Sequence, residues 1–416
     1  MKKPVFFAAL CCIVCLSFSA CSKDDTESNQ NQEAANGQTF DDPNAKYLEV
    51  VTIESLDYNA QYQESWNNYM QQVANLLYQD SKSLFENWNT MYQAEGKIYG
   101  MSFADIFKSH TGNGYNSNVD CVNEIIDGMI EIAGEVGDSK IGGPADKWAA
   151  GDKRGAVLAV ESWYSWHSID DYTNNIRSIR NVYYGKYFGE NEEVTAQPNS
   201  MAEIMSKYSG AAHTAVAGAI TDAINAIQSI PAPFRNYIAH PNVEVAREAC
   251  ARLGKVLETL KSKMNNHAED HADEVDAMIN CYVDQVVLPT YQDLYNKNIA
   301  LLTAVTNFKQ HPSNEGFTTL ANAWMSSRRP WESSEAFLFG PVDILQLDPN
   351  MDYWPLDQGG IESNIKTGTF DNLNWSDGDD DDVIEAAQNL RGFHTLEYLI
   401  FKNGKARTIV ELRVES

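Results

Sequence analysis

The chain is poor in cysteine, proline and basic residues. Its 416 residues include 7 cysteines, 13 prolines and 31 Lys+Arg against 58 Asp+Glu, for a formal net charge of −27. Binding to a phosphate backbone needs patches of Lys and Arg, so nucleic acid is not an expected partner. The same acidic balance disfavours docking of the folded part to an anionic membrane surface.

Cysteine is scarcer still in the part of the chain that is expected to fold. Four of the seven cysteines lie at or before position 21, which leaves Cys121, Cys250 and Cys281. Three is an odd number, and no C-x-x-C spacing is present, so neither a disulfide framework nor a zinc knuckle is indicated. We predict buried free thiols.

Several common catalytic and nucleotide-binding motifs are also missing. The sequence has no G-x-G-x-x-G, no P-loop, no H-E-x-x-H and no G-x-S-x-G. It shows no alternation of strand and helix patterns, and its prolines fall mostly in apparent linkers. Apolar residues make up 43% of the chain, enough for a buried core.

The N-terminus reads as a targeting segment. Lys2 and Lys3 precede an apolar run over residues 5–16, which is too short to span a bilayer but suits a signal peptide. Phe-Ser-Ala-Cys at 18–21 resembles a bacterial lipobox. We therefore predict a signal peptide at 1–20, a lipid on Cys21 and a polar disordered tether at 21–45. An ordinary secretory signal with an incidental cysteine is the alternative.

This reading predicts a location in the cell envelope. The protein would be lipid-anchored in a Gram-negative bacterium, with the lipid as its only membrane attachment. Ser22-Lys23-Asp24-Asp25 resembles the Lys-acidic export signal of some surface lipoproteins. Whether the protein faces the periplasm or the cell surface stays open.

The rest of the chain has the periodicity of long helices. Apolar residues recur at helical spacing in two sets of stripes: Trp66, Tyr69, Met70, Val73, Leu77, Leu84 and Trp88; then Leu253, Leu257, Leu260, Met264, Val275, Met278 and Tyr282. We predict an all-α fold of packed bundles, with one region at 46–280 and a second at 281–416. Two alternating stretches, 47–53 and 408–414, are predicted to pair as a short sheet near the termini, with Asn403-Gly404 as a turn.

Three segments place polar residues where the helical pattern calls for apolar ones. In the first, Val383, Ala387, Leu390, His394, Glu397 and Phe401 form one seam of steps of three and four. His394 and Glu397 would face each other at i and i+3. A buried carboxylate needs a cation, a metal or a donor network. Gly392 lies within the predicted helix, and a close backbone or ligand approach would explain it.

The other two segments repeat this pattern. Residues 317–339 form a seam that includes Arg328 and Glu335, and Pro330 should kink or restart the helix between them. A buried Arg328–Glu335 pair that satisfies itself is the alternative to a ligand site. Residues 156–184 form a third seam that includes Ser162 and Ser165, with Asp171 and Asn175 on an adjacent face.

These segments together resemble the imelysin-like proteins, once classed as peptidase family M75. Residues 392–397 are similar to the family's G-x-H-x-x-E motif, and 324–339 to its W-x-x-x-R-x-P segment. Residues 353–357 resemble its W-P-L-D segment, 161–183 its E-S-x-F-S block, and 123–128 with 142–144 its central segment. Because the E-S-x-F-S block comes first and H-x-x-E comes near the C-terminus, the order predicts a circular permutation.

The resemblance implies two packed four-helix bundles with a polar site between them, and a link to iron uptake through envelope partners that the sequence does not identify. The implied ligand-binding residues are His394, Glu397, Glu335, Arg328, Ser165 and Asp171, supported by Gly392, Trp324, Trp331, Trp354 and Asn175.

Two main functions fit these residues. Carboxylate and imidazole on bundle helices favour a binding protein for a metal ion, iron or zinc, and Arg328 would suit an anionic chelate. A metallopeptidase is the alternative, but zinc catalysis needs three ligands, an open position and a base, and no separate base adjoins a metal-binding histidine. A scaffold or adhesin without metal is the third possibility.

Overall fold

Helices dominate the computed structural model, which describes residues 45–48, 50–94, 96–112, 114–189, 193–375 and 378–411. In chain order the α-helices are α1 Gln63–Asn89, α2 Phe103–Ser109, α3 Asn118–Gly134, α4 Gly142–Ala149, α5 Lys153–Leu158, α6 Ser168–Tyr184, α7 Met201–Tyr208, α8 Gly210–Gln228, α9 Pro241–Asp270, α10 Ala272–Tyr282, α11 Leu288–Gln310, α12 Asn314–Glu332, α13 Pro341–Ile344, α14 Leu347–Asp352, α15 Gln358–Thr367, α16 Asp381–Gln388 and α17 Gly392–Ile400. The predicted all-α class is confirmed.

Wider and tighter helical turns connect some of these elements. π-Helical turns at Glu135–Ile141 and Val283–Val287 join α3 to α4 and α10 to α11. Short 3₁₀ turns are found at Ala45–Tyr47, Phe234–Asn236, Glu335–Phe337 and Asp371–Leu373. The described strands form two antiparallel hairpins, β1 Gln93–Ala94 with β2 Lys97–Ile98, and β3 Phe401–Lys402 with β4 Lys405–Ala406.

One set of helices packs around α1. Helix α1 lies against α11 and α17, and α11 continues through a short loop to α12, which also contacts α17. The apolar stripe predicted for α1, from Trp66 to Trp88, is buried along its length, as the periodicity requires. Trp66 also donates a hydrogen bond from its indole nitrogen to the Leu399 carbonyl, 3.2 Å away, which fixes α17 against α1.

A second set packs around α9. Helices α3 and α8 lie along α9, and α6 contacts both α3 and α8. The predicted α9 stripe of Leu253, Leu257, Leu260 and Met264 is buried. Helix α6 also contacts α12, so α6 and α12 lie where the two sets of helices meet.

The predicted boundary between residues 280 and 281 does not separate these two sets. It falls inside the continuous helical segment formed by α10, the π turn and α11. Moreover, α1 precedes the boundary but packs on α11, which follows it. The described residues from Lys46 onward form one compact unit.

The two ends of the described fold meet, although the predicted sheet between 47–53 and 408–414 is not formed. The Val410 amide donates to the Tyr58 carbonyl at 2.9 Å, and Arg407 Nη1 donates to the Leu56 carbonyl at 2.7 Å. The described parts of both stretches carry no strand, and the Val51 carbonyl in the first stretch accepts a hydrogen bond from Arg235 Nη2 at 2.7 Å instead. A parallel bridge between Asn59 and Val410 is what remains. The turn at 403–404 is confirmed and closes the β3–β4 hairpin.

The predictions for the N-terminal segment, the cysteines and membrane attachment have separate outcomes. The signal peptide, Cys21 and the tether up to residue 44 lie outside the described residues. Cys121 and Cys250 are buried free thiols, as predicted, whereas Cys281 is free but half-buried. Among the described helices, none combines the length and apolar character needed to cross a membrane.

Candidate functional site

Helix α17 carries His394 and Glu397 into the interior. The sequence predicted one helix through 382–401, but the chain breaks between α16 and α17, so Val383 is 48% exposed rather than in the core. Gly392 begins α17 with a φ of +81°, and a Cβ there would lie 2.4 Å from the Met351 carbonyl oxygen. The predicted close backbone approach is therefore present, at a helix start and not within a helix.

Helix α12 presents Arg328 and Glu332 from one face. Pro330 was predicted to kink or restart the helix between Arg328 and Glu335. In the structure α12 ends two residues after the proline, at Glu332, and a separate 3₁₀ turn begins at Glu335. Glu335 consequently belongs to the following 3₁₀ turn and approaches the site from a different direction.

The E-S-x-F-S block donates hydrogen bonds to the site carboxylates from both its backbone and its side chains. Ser162 and Ser165 lie in the non-helical connection between α5 and α6, not on a helical seam. Ser162 has a φ of +49°, and its hydroxyl donates to Asp171 Oδ2 at 2.5 Å. The Ser165 amide donates to Glu397 Oε1 at 2.7 Å, while its hydroxyl donates to the Ser162 carbonyl.

His394 is held between two carboxylates. Its Nε2 lies 3.1 Å from Asp352 Oδ1, and its Nδ1 lies 3.1 Å from Glu397 Oε2. Burial and the charge of Arg328 act to lower the pKa of His394, but Asp352 and both hydrogen bonds outweigh them and raise it to about 9. With this pKa, His394 at neutral pH is an imidazolium that donates from both nitrogens.

Arg328 is the centre of a second ionic group, and the predicted pair with Glu335 is not formed. The guanidinium contacts Asp352 through Nη1, lies 2.6 Å from Glu332 Oε1 through Nη2 and lies 3.6 Å from Asp171 through Nε. Asp352, Glu332 and Asp171 all approach more closely than Glu335 because the chain leaves helical geometry after Glu332. Burial opposes the charge of Arg328, yet Asp352, Glu332 and Asp171 raise its pKa well above its ordinary value.

Three carboxylates next to this arginine have the spacing of metal ligands. One oxygen from each of Glu332, Glu335 and Asp352 lies within 4.8 Å of the other two. Asn175 Nδ2 donates to Glu332 Oε2 at 2.5 Å, and the Trp331 indole donates to Asp352 Oδ2 at 2.6 Å. Within the described part of the chain, no hydrogen bond or ion pair reaches the Glu335 carboxylate, although the residue is only 9% exposed.

The pKa values of these carboxylates are split by their surroundings. Burial raises the pKa of Glu332 to about 8 against the opposing charge of Arg328, and burial raises the pKa of Glu335 well above its ordinary value. Burial also acts on Asp352, but Arg328 and His394 overcome it and hold its pKa below the usual range. Burial raises the pKa of Asp171 to about 6.

A buried lysine borders the same site. Lys140, in the π turn before α4, lies 3.3 Å from Glu161 and 3.7 Å from Glu135. Although burial opposes it, the charges of Glu161 and Glu335 raise the pKa of Lys140 well above its ordinary value. Asp348 lies near this lysine, and burial together with Asp352 raises its pKa to about 7.

The tryptophans of the predicted site contact α17 and the charged side chains. Trp324 donates from its indole to the Phe393 carbonyl at 2.9 Å, which ties α12 to α17. Trp354 meets the His394 ring edge-on with centroids 4.6 Å apart. Together with Trp331 they place aromatic rings beside the charged groups, and apolar surroundings of this kind strengthen electrostatic interactions.

All six predicted ligand residues therefore lie in or beside one polar cluster at the junction of α6, α12, α14 and α17. The sequence reasoning missed Asp352, Glu332 and Lys140. Glu332 could have been found from its i,i+4 spacing to Arg328. Asp352 directly precedes the W-P-L segment, but α14 is too short to show a periodic pattern, and no sequence signal marked Lys140.

The comparisons with known proteins support the family resemblance and the all-α fold. A protein-family model described as Imelysin matches residues 33–261 and 287–412. The crystal structure of an imelysin peptidase from Bacteroides ovatus aligns with 85% of this chain and 99% of that chain, at 44% identity and a TM-score of 0.80. The resemblance seen in the motifs is confirmed, whereas the permuted order of the motifs stays a prediction.

A curated relative matches over a shorter stretch. Iron-regulated protein A of Synechococcus elongatus is 30% identical over 123 residues, which is 30% of this chain and 31% of that protein. The chain thus matches less than a third of the length of this relative.

Proposed function

The chain belongs to the imelysin family, and on this premise we propose that it is an iron-linked protein of the cell envelope that binds one metal cation through Glu332, Glu335 and Asp352. The observation that carries the proposal is Glu335, whose buried carboxylate makes no hydrogen bond or ion pair with the residues that the structure describes and lies beside two other carboxylates. Such a group is costly unless a proton or a cation neutralises it. The name of the iron-regulated relative supports iron as the physiological cation.

A cation fits the charges better than an anionic chelate. Three basic side chains, Arg328, Lys140 and His394, face seven carboxylates: Glu161, Asp171, Glu332, Glu335, Asp348, Asp352 and Glu397. Arg328 is already surrounded by Asp352, Glu332 and Asp171. An anionic ligand would have to displace these carboxylates, whereas a cation would reduce their mutual repulsion.

The donor set indicates which cations fit. Carboxylate oxygens are hard ligands that suit iron and manganese, while zinc sites more often use imidazole or thiolate. Both nitrogens of His394 are engaged with Asp352 and Glu397, so His394 acts as a positioning group for Asp352. Ser165 in turn orients Glu397 through its amide.

Thermal melting of the metal-free protein tests this proposal. Fe²⁺ under anaerobic conditions, ferric citrate, Mn²⁺ and Zn²⁺ are added to the wild type, to Glu335→Gln and to Glu258→Gln, a control on the exposed face of α9. A cation at 100 times its Kd stabilises the folded state by about 2.7 kcal/mol. The wild type and Glu258→Gln should gain melting temperature with iron or manganese, and Glu335→Gln should not.

Two results would contradict the proposal. The first is that none of these additions stabilises the wild type, and the second is that Glu335→Gln responds like the wild type. Stabilisation by ferric citrate that is absent with every free cation would favour the chelate instead. Hydrolysis of a peptide library that disappears in Glu397→Ala would favour the metallopeptidase alternative.

The envelope part of the proposal rests on the N-terminal sequence. Lys2 and Lys3, the apolar run at 5–16 and the small residues before Cys21 have the order of a lipoprotein signal. We propose an outer-membrane lipid anchor on the mature N-terminus, facing the periplasm or the cell surface, as the attachment of an otherwise water-exposed acidic protein.

A further inference from the structure

A group of side chains outside the carboxylate cluster combines two histidines with a carboxylate. His267 lies in the last turn of α9, His271 lies at the break between α9 and α10, and Glu274 lies in the first turn of α10. The His271 amide donates to the His267 carbonyl at 2.9 Å, so the backbone closes one helical turn between the two histidines. Residues four apart across such a turn are neighbours on one face.

The two imidazoles lie against each other. Their rings are stacked, with centroids 4.4 Å apart and an angle of 26° between the planes. The Tyr208 ring contacts both, with centroids 4.5 Å from His267 and 5.0 Å from His271. Two imidazoles that bind one tetrahedral zinc ion have centroids about 5 Å apart. The separation of the rings is therefore close to that of two ligands of one ion, and rotation of the half-buried His271 side chain would turn its nitrogen toward His267 Nε2.

Glu274 brings a carboxylate oxygen to ligand distance from His267. His267 Nε2 and Glu274 Oε2 lie 3.1 Å apart. Two ligand atoms on one tetrahedral zinc ion are about 3.3 Å apart. The other carboxylate oxygen, Oε1, accepts hydrogen bonds from Lys207 Nζ at 2.9 Å and from the Tyr208 hydroxyl at 2.8 Å. Carboxylates that bind metals are commonly oriented by hydrogen bonds of this kind.

We propose that His267, His271 and Glu274 form a second metal site, which binds a zinc-class divalent ion through two imidazoles and one carboxylate. Imidazole ligands suit Zn²⁺, Ni²⁺ and Cu²⁺, whereas the all-carboxylate first site suits iron and manganese. Three protein ligands leave the fourth position of a tetrahedral ion open to water or a small ligand. The ion would replace the hydrogen bond between His267 and Glu274 and bridge the break between α9 and α10.

This inference goes beyond the proposed function, because the two sites share no residue. Its rival is that the group satisfies itself, with the His267–Glu274 hydrogen bond serving only to join α9 to α10. Removal of the exchangeable ligand His271 distinguishes the two, since His271 makes no part of that hydrogen bond.

Calorimetric titration of the metal-free protein with Zn²⁺ and Ni²⁺ tests the second site. The wild type is compared with His271→Asn, Glu274→Gln and His311→Asn, a control at an exposed histidine that follows α11. Loss of one of three ligands should weaken Zn²⁺ binding by at least about tenfold in His271→Asn and Glu274→Gln. His311→Asn should bind like the wild type. Binding of Zn²⁺ at the first site would add a second event that all four proteins share.

Histidine NMR of the wild type locates the ion without a change at buried His267. The imidazole signal of His271, assigned through its loss in His271→Asn, should shift when Zn²⁺ is added. The signal of His311, assigned in the same way, should not.

Two results would overturn this inference. One is a His271 signal that does not move at excess Zn²⁺. The other is Zn²⁺ binding as tight as in the wild type by both His271→Asn and Glu274→Gln, with circular dichroism showing them folded. A failure of iron and manganese to stabilise the protein would overturn the proposed function and leave this second site standing.

Discussion

His394 Nε2 and Asp352 Oδ1 lie 3.1 Å apart, and this contact joins the first turn of α17 to the last residue of α14. Asp352 also contacts Arg328 and accepts a hydrogen bond from the Trp331 indole, so one carboxylate connects α12, α14 and α17. The geometry of the site therefore depends on Asp352 more than on any residue of the G-x-H-x-x-E motif.

Asp352→Asn should lower the pKa of His394 by more than one unit from about 9, because the amide cannot supply the charge that favours the imidazolium. It should also destabilise the fold by on the order of 3 kcal/mol, since Arg328 loses a buried partner. Histidine NMR titration, with the His394 signal assigned through its loss in His394→Gln, checks the first effect, and urea unfolding checks the second. An unchanged His394 pKa would show that Glu397 alone sets it.

Stability of the metal-free protein should depend on pH through Glu332. Burial raises its folded-state pKa from 4.5 to about 8, so its contribution to stability is fully present below pH 4.5 and is lost as the pH rises through 8. Glu332→Gln resembles the protonated form and lacks this loss. Relative to the wild type, its free energy of unfolding should increase by on the order of 2 kcal/mol between pH 5.5 and pH 8.5.

Urea unfolding at the two pH values measures this difference, with Glu258→Gln as a control that should follow the wild type at both. His394 acts in the same direction, because its raised pKa makes its stabilisation fade from 6.5 through about 9. A difference between Glu332→Gln and the wild type that does not change with pH would mean that Glu332 is ionised throughout.

Gly392→Ala should destabilise the protein by about 2–4 kcal/mol. The new Cβ would meet the Met351 carbonyl at 2.4 Å, and the φ of +81° is strained for any residue with a side chain. Gly254→Ala in α9 is the matched control: nothing lies within 4 Å of its added Cβ, so it should stabilise by about 0.5–1 kcal/mol. Urea unfolding of both variants would contradict this account if their effects had the same sign.

Cys21→Ala should release the protein from the membrane or stall its processing, because no thiol remains to carry the lipid. Fractionation of cells that produce the full-length chain, followed by mass determination of the N-terminal peptide, measures this outcome. Ser19→Ala keeps a small residue before the cysteine and should remain membrane-bound. Normal processing and membrane retention of Cys21→Ala would contradict the lipid anchor.

The sequence predicted those parts of the site that lie on regular helices. His394, Glu397 and Arg328 interrupt apolar stripes, and a charge on a buried stripe is visible from spacing alone. The prediction failed where the chain leaves regular geometry. Gly392 divides a helix that the pattern made continuous, and the 3₁₀ turn carries Glu335 away from the face of Arg328.

Asp352 and Lys140 had no such signal. Helix α14 has only six residues, too few to define a face. Lys140 lies in a π turn, where the extra residue per turn shifts the phase of the surrounding helix, so a helical wheel places it incorrectly. Both residues reach the site through tertiary packing of segments that are distant in sequence, which periodicity does not report.

The meeting of the two ends of the described fold has a consequence for local unfolding. Arg407 donates to the Leu56 and Tyr398 carbonyls, and Val410 donates to Tyr58, so each terminal segment uses the other as its hydrogen-bond partner. Neither segment can detach without exposing polar groups of the other. We therefore expect the residues around 56–58 and 407–410 to open as one cooperative unit, so that their amides exchange hydrogen with solvent in a shared event.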